Sequence, residues 1–570
     1  MKFTKIGSPG LFTAVAFAVF AKCQAEPKCR CFPGDSCWPS SSDWATLNAT
    51  VGGRLVATVP IGSVCHDPTY NETACTALQS AWSLPQTHFE SSSSVMQAYF
   101  ANQSCNPFAS ESSPCELGNY VRYAVNVSST GDVAAALAFA SSRNIRVVVR
   151  NTGHDFFGRS TGAGSLAIWT HHLKNVEFLD WNDHLYTGKA MKIGAGILGY
   201  EAVEAASAQN LTVVTGECPT VGVAGGYTQG GGHSAMSTAF GLGADQALEF
   251  EMVTTNGTVV TANAAQHSDL FWALSGGGGG TFGIITALSI RAHPDLTIGG
   301  ATLTISSAYT TQENFVKAVT GFHSMLPNMT DHGASVVYVI SNTFLQIKPV
   351  TVYNSTAEYV QNVVLGPFTT LLAELGVPAL LTSYTSLQSF NHYNTYMGPL
   401  PYGHVTVEAY QFGSRLIPRE TLETNNDAFV SALLNLTANG ITAAGSAADY
   451  SQHYPGVLNA VLPAWRNTTV HLQITTPWSD TASWEDMINA QIRMTNEFVP
   501  QLEAVAPNSG VYLNEGDFRT PHWKKDFYGV NYERLLAIKR VWDPDCLLYG
   551  LKNVGSDMWT VKDDGRMCRV

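Results

Sequence analysis

Charge is scarce in this chain of 570 residues: Asp, Glu, Lys and Arg make up 13%, against 45% hydrophobic and 11% aromatic residues. So low a charge content excludes a disordered chain or a solvated coiled coil, and the apolar share is enough to build large cores. Basic residues are the scarcer sign. With 31 Lys and Arg against 44 Asp and Glu, the formal net charge is -13, which opposes general attraction to a phosphate backbone, and no nucleic-acid partner is expected. No internal repeat is visible, and no run of like charge is long enough to serve as an interaction tail. An apolar run of the ~20 residues needed to span a bilayer is missing too, so no membrane association is expected. A Gly-x-Gly-x-x-Gly in a strand-to-helix turn is also lacking, which argues against a Rossmann nucleotide fold.

What is present begins with export signals. Lys2 and Lys5, an apolar stretch from Leu11 to Ala21 and the small-residue site Cys23-Gln24-Ala25 predict a signal peptide over residues 1–25 and hence a secreted, extracellular protein. Cys29, Cys31, Cys37, Cys65, Cys75, Cys105 and Cys115 crowd a cysteine-rich region spanning 26–115, and Cys546 and Cys568 lie near the end. After a signal peptide such cysteines read as disulfides. A zinc site from Cys29, Cys31 and Cys37 lacks a paired C-x-x-C, and no metal is expected. Parity leaves Cys546 outside an even set made with Cys568, while connectivity stays open. Sequons at Asn48, Asn71, Asn328 and Asn467 fit a glycosylated surface.

The length allows two to four domains of ordinary size. Tyr120–Val127 alternates like a strand, Gly131–Arg143 has helical spacing, and Ile145–Arg150 is a β-branched run ending at a glycine-containing turn. Strand, helix, strand and loop predict an α/β layer with the site on the loop. Glycine is dense from Gly216 to Gly243 and again from Gly276 to Gly280, predicting two loops that a ligand approaches closely. Between them, Phe250–Val260 reads as a hairpin with an Asn-Gly turn. From about 295 to 505 glycine thins, and strand-like Ala301–Ile305 alternates with helical Ala357–Leu365 and Trp484–Phe498, predicting an α+β unit with an antiparallel sheet. An amphipathic helix over Tyr532–Val541 closes the pattern before Asp543-Pro544.

Two residues carry chemistry. His154 sits in a tight turn after an apolar strand, and Cys218 is the single mid-chain cysteine, far from any disulfide partner and beside a glycine-rich run. Asn151-Thr152-Gly153-His154, the stretch from Cys218-Pro219-Thr220-Val221-Gly222 to Gly232, and the closing Asn531–Leu536 with Asp543-Pro544 together resemble the berberine bridge enzyme-like branch of the vanillyl-alcohol oxidase flavoproteins.

That resemblance, running from about Tyr120 to the C-terminus, implies an α+β fold. A two-part PCMH-type FAD-binding domain would occupy 116–294, a substrate domain with a helix-covered antiparallel sheet 295–505, and a segment returning to the FAD domain 506–570. It implies bicovalent FAD, with His154 on the 8α-methyl and Cys218 on carbon 6. Imidazole and thiolate are suited to this because they are nucleophilic near neutral pH and the oxidised flavin is electrophilic. It further places the pyrophosphate against backbone N–H groups around Gly153, Phe157, Gly158 and Arg159. Asn151, Thr152, Gly222, Gly225, Gly226, Gly230, Gly283, Ile284 and Asn514 would complete the cofactor contacts. Val221 stands where relatives with valine behave as oxidases.

The implied activity is transfer of hydride from a substrate C–OH or C–N bond to FAD, with reoxidation by O2 to H2O2. An oxidocyclase or dehydrogenase of secondary metabolism using the same flavin is the alternative, and a flavin-loaded protein without a competent base is a third. The partners are a small alcohol, sugar or secondary metabolite and oxygen, and a monomer is expected. Many relatives carry Tyr-x-Asn-Tyr near the C-terminus and use the second tyrosine as base; here the stretch is Tyr512-Leu513-Asn514-Glu515. Glu515, Tyr512 or Tyr410 are therefore the candidates for the proton acceptor.

Overall fold

A computed structural model describes residues 29–570 except 452, 455 and 457. The expected signal peptide lies outside the described residues. The first layer contains β1 (Leu55–Ala57), β2 (Tyr123–Asn126), β3 (Val147–Arg150) and β4 (Leu166–Trp169) in the order β1-β2-β4-β3, with β2 and β3 both parallel to β4. The helix Thr130–Ser142 links β2 to β3. Ser129 caps it by accepting from the Asp132 N–H, and Val133, Ala136, Leu137 and Ala140 form its buried face. The expected strand, helix and strand are thus present, with both strands shorter than their apolar runs.

Next along the chain come β5 (Val176–Asn182), β6 (Thr187–Gly194), the short β7 (Leu211–Thr212), β8 (Ala247–Val253), β9 (Val259–Asn263), β10 (Ile284–Arg291) and the short β11 (His293–Pro294). Five of them make an antiparallel sheet in the order β5-β6-β10-β8-β9, and β7 pairs with β11. β8 and β9 are the predicted hairpin, with Gly257 at a φ of 85° in its turn. The glycine-dense segment before β8 departs from expectation: Val223–Tyr227 and Thr228–Gly230 wind into a wide helical turn rather than an open loop.

A third sheet is built from β12 (Ile298–Ser306), β13 (Ala334–Ile340), β14 (Phe344–Tyr353), β15 (Leu380–Leu387), β16 (Tyr410–Pro418), β17 (Thr442–Ala447) and β18 (Thr468–Pro477). Its order is β15-β12-β14-β13-β17-β18-β16, antiparallel throughout. One face packs under helices. Phe315, Ala318, Val319, Phe322, Leu326 and Met329 recur at helical spacing along Gln312–Asp331 and meet Val336, Tyr338, Ile340, Leu345, Ile347 and Leu472. Each buried Phe or Leu contributes about 1.5–3 kcal/mol. The opposite face carries the alternate residues, Val337, Val339, Gln346, Lys348, Ala444, Ser446, His471 and Gln473, into a cavity.

Disulfides join Cys31 to Cys37, Cys65 to Cys75, Cys105 to Cys115, and Cys29 to Cys568 across 539 residues. These use all eight cysteines of the even set, and they account for the three cysteines considered for zinc. Cys218 and Cys546 stand outside the four bridges.

Candidate active site

The loop after β3 is shaped by buried polar groups. Arg150 is fully buried and donates through Nη2 to the carbonyls of His88, Ser91 and Ser94. Gly153 has a φ of 89°, and a Cβ there would lie 2.8 Å from Arg150 Nη1, so both conformation and space demand glycine. His154 follows immediately. Asp155 then accepts from the N–H groups of Phe157, Arg159 and Ser160 at 3.0, 2.5 and 3.1 Å, folding the loop back. Those bonds already occupy the Phe157 and Arg159 N–H groups, so this loop does not present them to a phosphate as the sequence suggested.

His154 and Cys218, distant in the chain, converge. His154 Nε2 lies 2.7 Å from Thr220 Oγ1 and 3.9 Å from Cys218 Sγ, and Thr220 Oγ1 is 3.4 Å from that sulfur. Burial, with help from His88 and Arg150, lowers the His154 pKa to about 3, so the ring is neutral at physiological pH. Burial pushes the Cys218 thiol up, against opposing hydrogen bonds from Thr220 and the Val221 backbone.

Both line a cavity of about 580 Å³, within the range of small-molecule sites. Asn151, Thr152, Gly153, Arg159, Val221, Gly222, Gly225, Gly226, Gly283 and Asn514 line it too. Gly222 lies against Asn151, where a Cβ would come within 2.0 Å of Nδ2. Among the described residues, Arg159 Nη2, Gln229 Oε1 and Asn553 Oδ1 are buried without a hydrogen-bond partner on residues that line this space. A cationic donor and two amide acceptors suit a dinucleotide with anionic phosphates and N–H or O–H groups, so the donor set fits FAD.

Four of the expected cofactor residues stand back from the cavity lining. Phe157 is fully buried against Phe527, with the Arg159 guanidinium over its ring. Gly158 packs on Phe100 and Gly230 on Asn514. Ile284 points into the core beneath the first layer. Hydrophobic packing accounts for Phe157, Gly158 and Ile284, and close approach of the Asn514 amide accounts for Gly230.

Tyr512, Glu515 and Tyr410 all reach the cavity. Tyr512 is buried, and its Oη accepts from Asn514 Nδ2 at 2.8 Å, while the same amide donates to the Gly226 carbonyl at 2.7 Å, pinning this segment to the glycine turn. Burial, then the Glu515 charge, raises the Tyr512 pKa strongly. Tyr410 is 39% exposed on β16. Glu515 meets two residues the sequence did not single out: His233 Nε2 at 3.1 Å and His471 Nδ1 at 3.6 Å. His233 Nδ1 also lies 3.2 Å from Glu217. Burial opposes charge on His233, but Glu217 and Glu515 overcome it and hold its pKa well above the ordinary value. Burial would raise the Glu515 pKa, yet His233 and then His471 bring it below the usual 4.5. His471 is driven down to about 4, chiefly by burial. Glu217 and His233 were open to discovery, flanking Cys218 and the Gly230-Gly231-Gly232 run. His471 gave no local signal.

The chain has relatives among known proteins. The family described as FAD binding domain matches residues 121–263, and the one described as berberine and berberine like matches 511–554. The chain is 48% identical over 523 residues to the FAD-linked oxidoreductase ZEB1 of Gibberella zeae, covering 92% of each protein. The crystal structure of the VAO-type flavoprotein MtVAO615 from Myceliophthora thermophila C1 superimposes with a TM-score of 0.91 at 39% identity, over 95% of this chain and 100% of that one. Glucooligosaccharide oxidase from Acremonium strictum, whose structure is described as carrying 6-S-cysteinyl, 8α-N1-histidyl FAD, shares the fold at 19% identity and a TM-score of 0.61, over 76% of this chain and 92% of that one. With the cavity, the glycine turn and these matches in place, the chain belongs to the berberine bridge enzyme-like branch of the vanillyl-alcohol oxidase family and is an FAD-linked oxidoreductase.

Proposed function

We propose that this enzyme is a secreted oxidase that holds FAD covalently through His154 and Cys218, oxidises a C–OH or C–N bond of a small molecule, and delivers the electrons to O2 as H2O2. The carrying observation is the 3.9 Å between Cys218 Sγ and His154 Nε2. The 8α-methyl and carbon 6 belong to the same ring of the flavin, so two tethers must start from neighbouring points. The doubly linked flavin named for glucooligosaccharide oxidase supports the same arrangement. His154 is neutral and therefore nucleophilic, whereas Cys218 must lose its proton to react.

Bound flavin supplies the hydride acceptor. Glu515, with its side chain 26% accessible, takes the proton that leaves the substrate hydroxyl. Around it, two carboxylates against one imidazolium leave a single negative charge, which that proton neutralises in a water-poor site. Tyr512 remains protonated and serves as a hydrogen-bonding group. Tyr410 contacts substrate at the rim, and Val221, beside Cys218, leaves room for oxygen. In this reading 116–294 and 506–570 hold the cofactor and 295–505 provides the substrate wall. Four disulfides support an oxidising, extracellular compartment.

The test has two parts. Acid-precipitated protein keeps its yellow colour, and a peroxidase-coupled screen of sugars, oligosaccharides and aromatic alcohols yields peroxide. Colourless precipitate refutes the tethers, and turnover with reducible dyes but not oxygen makes the enzyme a dehydrogenase.

A further inference from the structure

The substrate wall contains a cation that the proposed chemistry does not use. Lys348 lines the cavity from β14, half-buried, and makes no hydrogen bond or ion pair among the described residues. Elsewhere on the same wall, Gln346 on β14, Ser446 on β17 and Gln473 on β18 likewise have no side-chain hydrogen bond among the described residues, while Val337, Val339 and Ala444 between them are apolar and small. A stacked pair, Phe156 and Phe412, with ring centroids 3.9 Å apart, also lines the cavity. On this wall the lining therefore combines flat apolar surface with a polar strip that carries a positive charge at its β14 end.

The backbone is built to put that charge there. On one side of β14, Ala301 pairs with Val350 and Leu303 with Ile347; on the other, Val336 pairs with Val350 and Tyr338 with Ile347. Lys348 and Pro349 together therefore face one residue on each neighbour, Thr302 and Val337, which is a β-bulge seen by both strands. Without it, strict alternation would send Val350 to the same face as Lys348. With it, Ile347 and Val350 both enter the helix-side core and Lys348 faces the cavity. Bulges of this kind re-aim side chains beside active sites, and they accommodate proline inside a sheet.

We infer that Lys348 is a substrate-binding residue that receives an anionic oxygen, a carboxylate or an ionised phenol, at the end of the substrate remote from the bond being oxidised. This rests on the oxidoreductase reading of the same cavity and adds the substrate class. Register places Lys348, Val337, Ser446 and His471 side by side on successive strands. Three strand spacings set Lys348 about 14 Å from His471 along the sheet. A lysine stem shortens that gap, so the substrate is an elongated, largely apolar molecule with its oxidised carbon near Glu515 and its anion roughly 10 Å away.

The probe is 4′-(hydroxymethyl)biphenyl-4-carboxylate, compared with its neutral carboxamide, with binding to the flavin-loaded enzyme read by calorimetry. The carboxylate binds at least tenfold more tightly, and the preference weakens with added salt. Lys348→Met abolishes the preference with unchanged flavin spectrum and Tm, and Lys348→Arg retains it. Equal or undetectable binding of the two probes by the native enzyme, or a preference that survives in Lys348→Met, overturns the assignment. Calorimetry needs no turnover: an intact preference in an enzyme that produces no peroxide would sink the oxidase reading and leave Lys348 standing.

Discussion

One buried imidazole joins two carboxylates: His233 reaches Glu515 through Nε2 at 3.1 Å and Glu217 through Nδ1 at 3.2 Å. The first carboxylate comes from the C-terminal segment and the second from the residue before Cys218, so a single positive charge ties the proposed proton acceptor to the proposed flavin attachment point.

That charge sets the pH range. Because the Glu515 pKa is held below 4.5, its basic form persists as pH falls to that region, and the acid limb of kcat/KM lies below about pH 4.5. His233→Asn removes the cation and leaves two carboxylates close together, raising the Glu515 pKa. The acid limb then moves to higher pH. A limb that stays in place in this variant shows that Glu515 is not the base.

Glu515→Gln retains shape and removes the basic oxygen. The expected loss in the rate of anaerobic flavin bleaching is on the order of 10²–10⁴-fold, the range for a general base, with flavin content unchanged. Tyr512→Phe, which removes only a hydrogen-bonding group, loses far less. Comparable losses in both would move the proton acceptor to the tyrosine.

Gly222→Ala drives a Cβ to 2.0 Å from Asn151 Nδ2, an amide already bonded to the Ala195 carbonyl at 3.0 Å. Overpacking of this kind costs about 1–3 kcal/mol, and the displaced backbone lines the cavity proposed to hold the cofactor. The purified variant is expected to carry substantially less flavin per chain. Gly366→Ala, where the nearest atom is 3.6 Å away, leaves flavin content and Tm as they were.

Asp245 accepts from Arg466 at 2.7 and 2.9 Å, from Asn459 at 2.7 Å and from the Leu242 N–H at 2.9 Å. Asp245→Ala removes the charged partner of the guanidinium, leaving it the Tyr450 carbonyl and Asn459 Oδ1, and takes away the acceptor of the Leu242 N–H at the start of the helix Gly243–Gln246. The expected destabilisation is about 3 kcal/mol, read as a lower urea midpoint with an unchanged slope.

How much was legible follows from where the signal sits. His154 and Cys218 stand in local motifs, and the Phe250–Val260 hairpin announces itself by its Asn-Gly turn, so both could be read without coordinates. His471 lies in a strand buried on both faces, where alternation cannot say which face borders a cavity. Lys348 depends on a bulge defined only by pairing to two other strands. Phe157, Gly158, Gly230 and Ile284 belong to the right segments, yet tertiary packing turns them away from the lining. Glu515 was legible as a candidate from its place in Tyr512-Leu513-Asn514-Glu515, but its partners were not: an imidazolium from another segment, His233, makes its partial burial tolerable.

The bond between Cys29 and Cys568 carries a consequence for biosynthesis. The two cysteines are 539 residues apart, so the bond cannot close until the chain has been made through residue 568. A product shortened before 568 leaves Cys29 without this disulfide partner. Oxidation at this one pair therefore reports that synthesis and folding have brought residues 29 and 568 together.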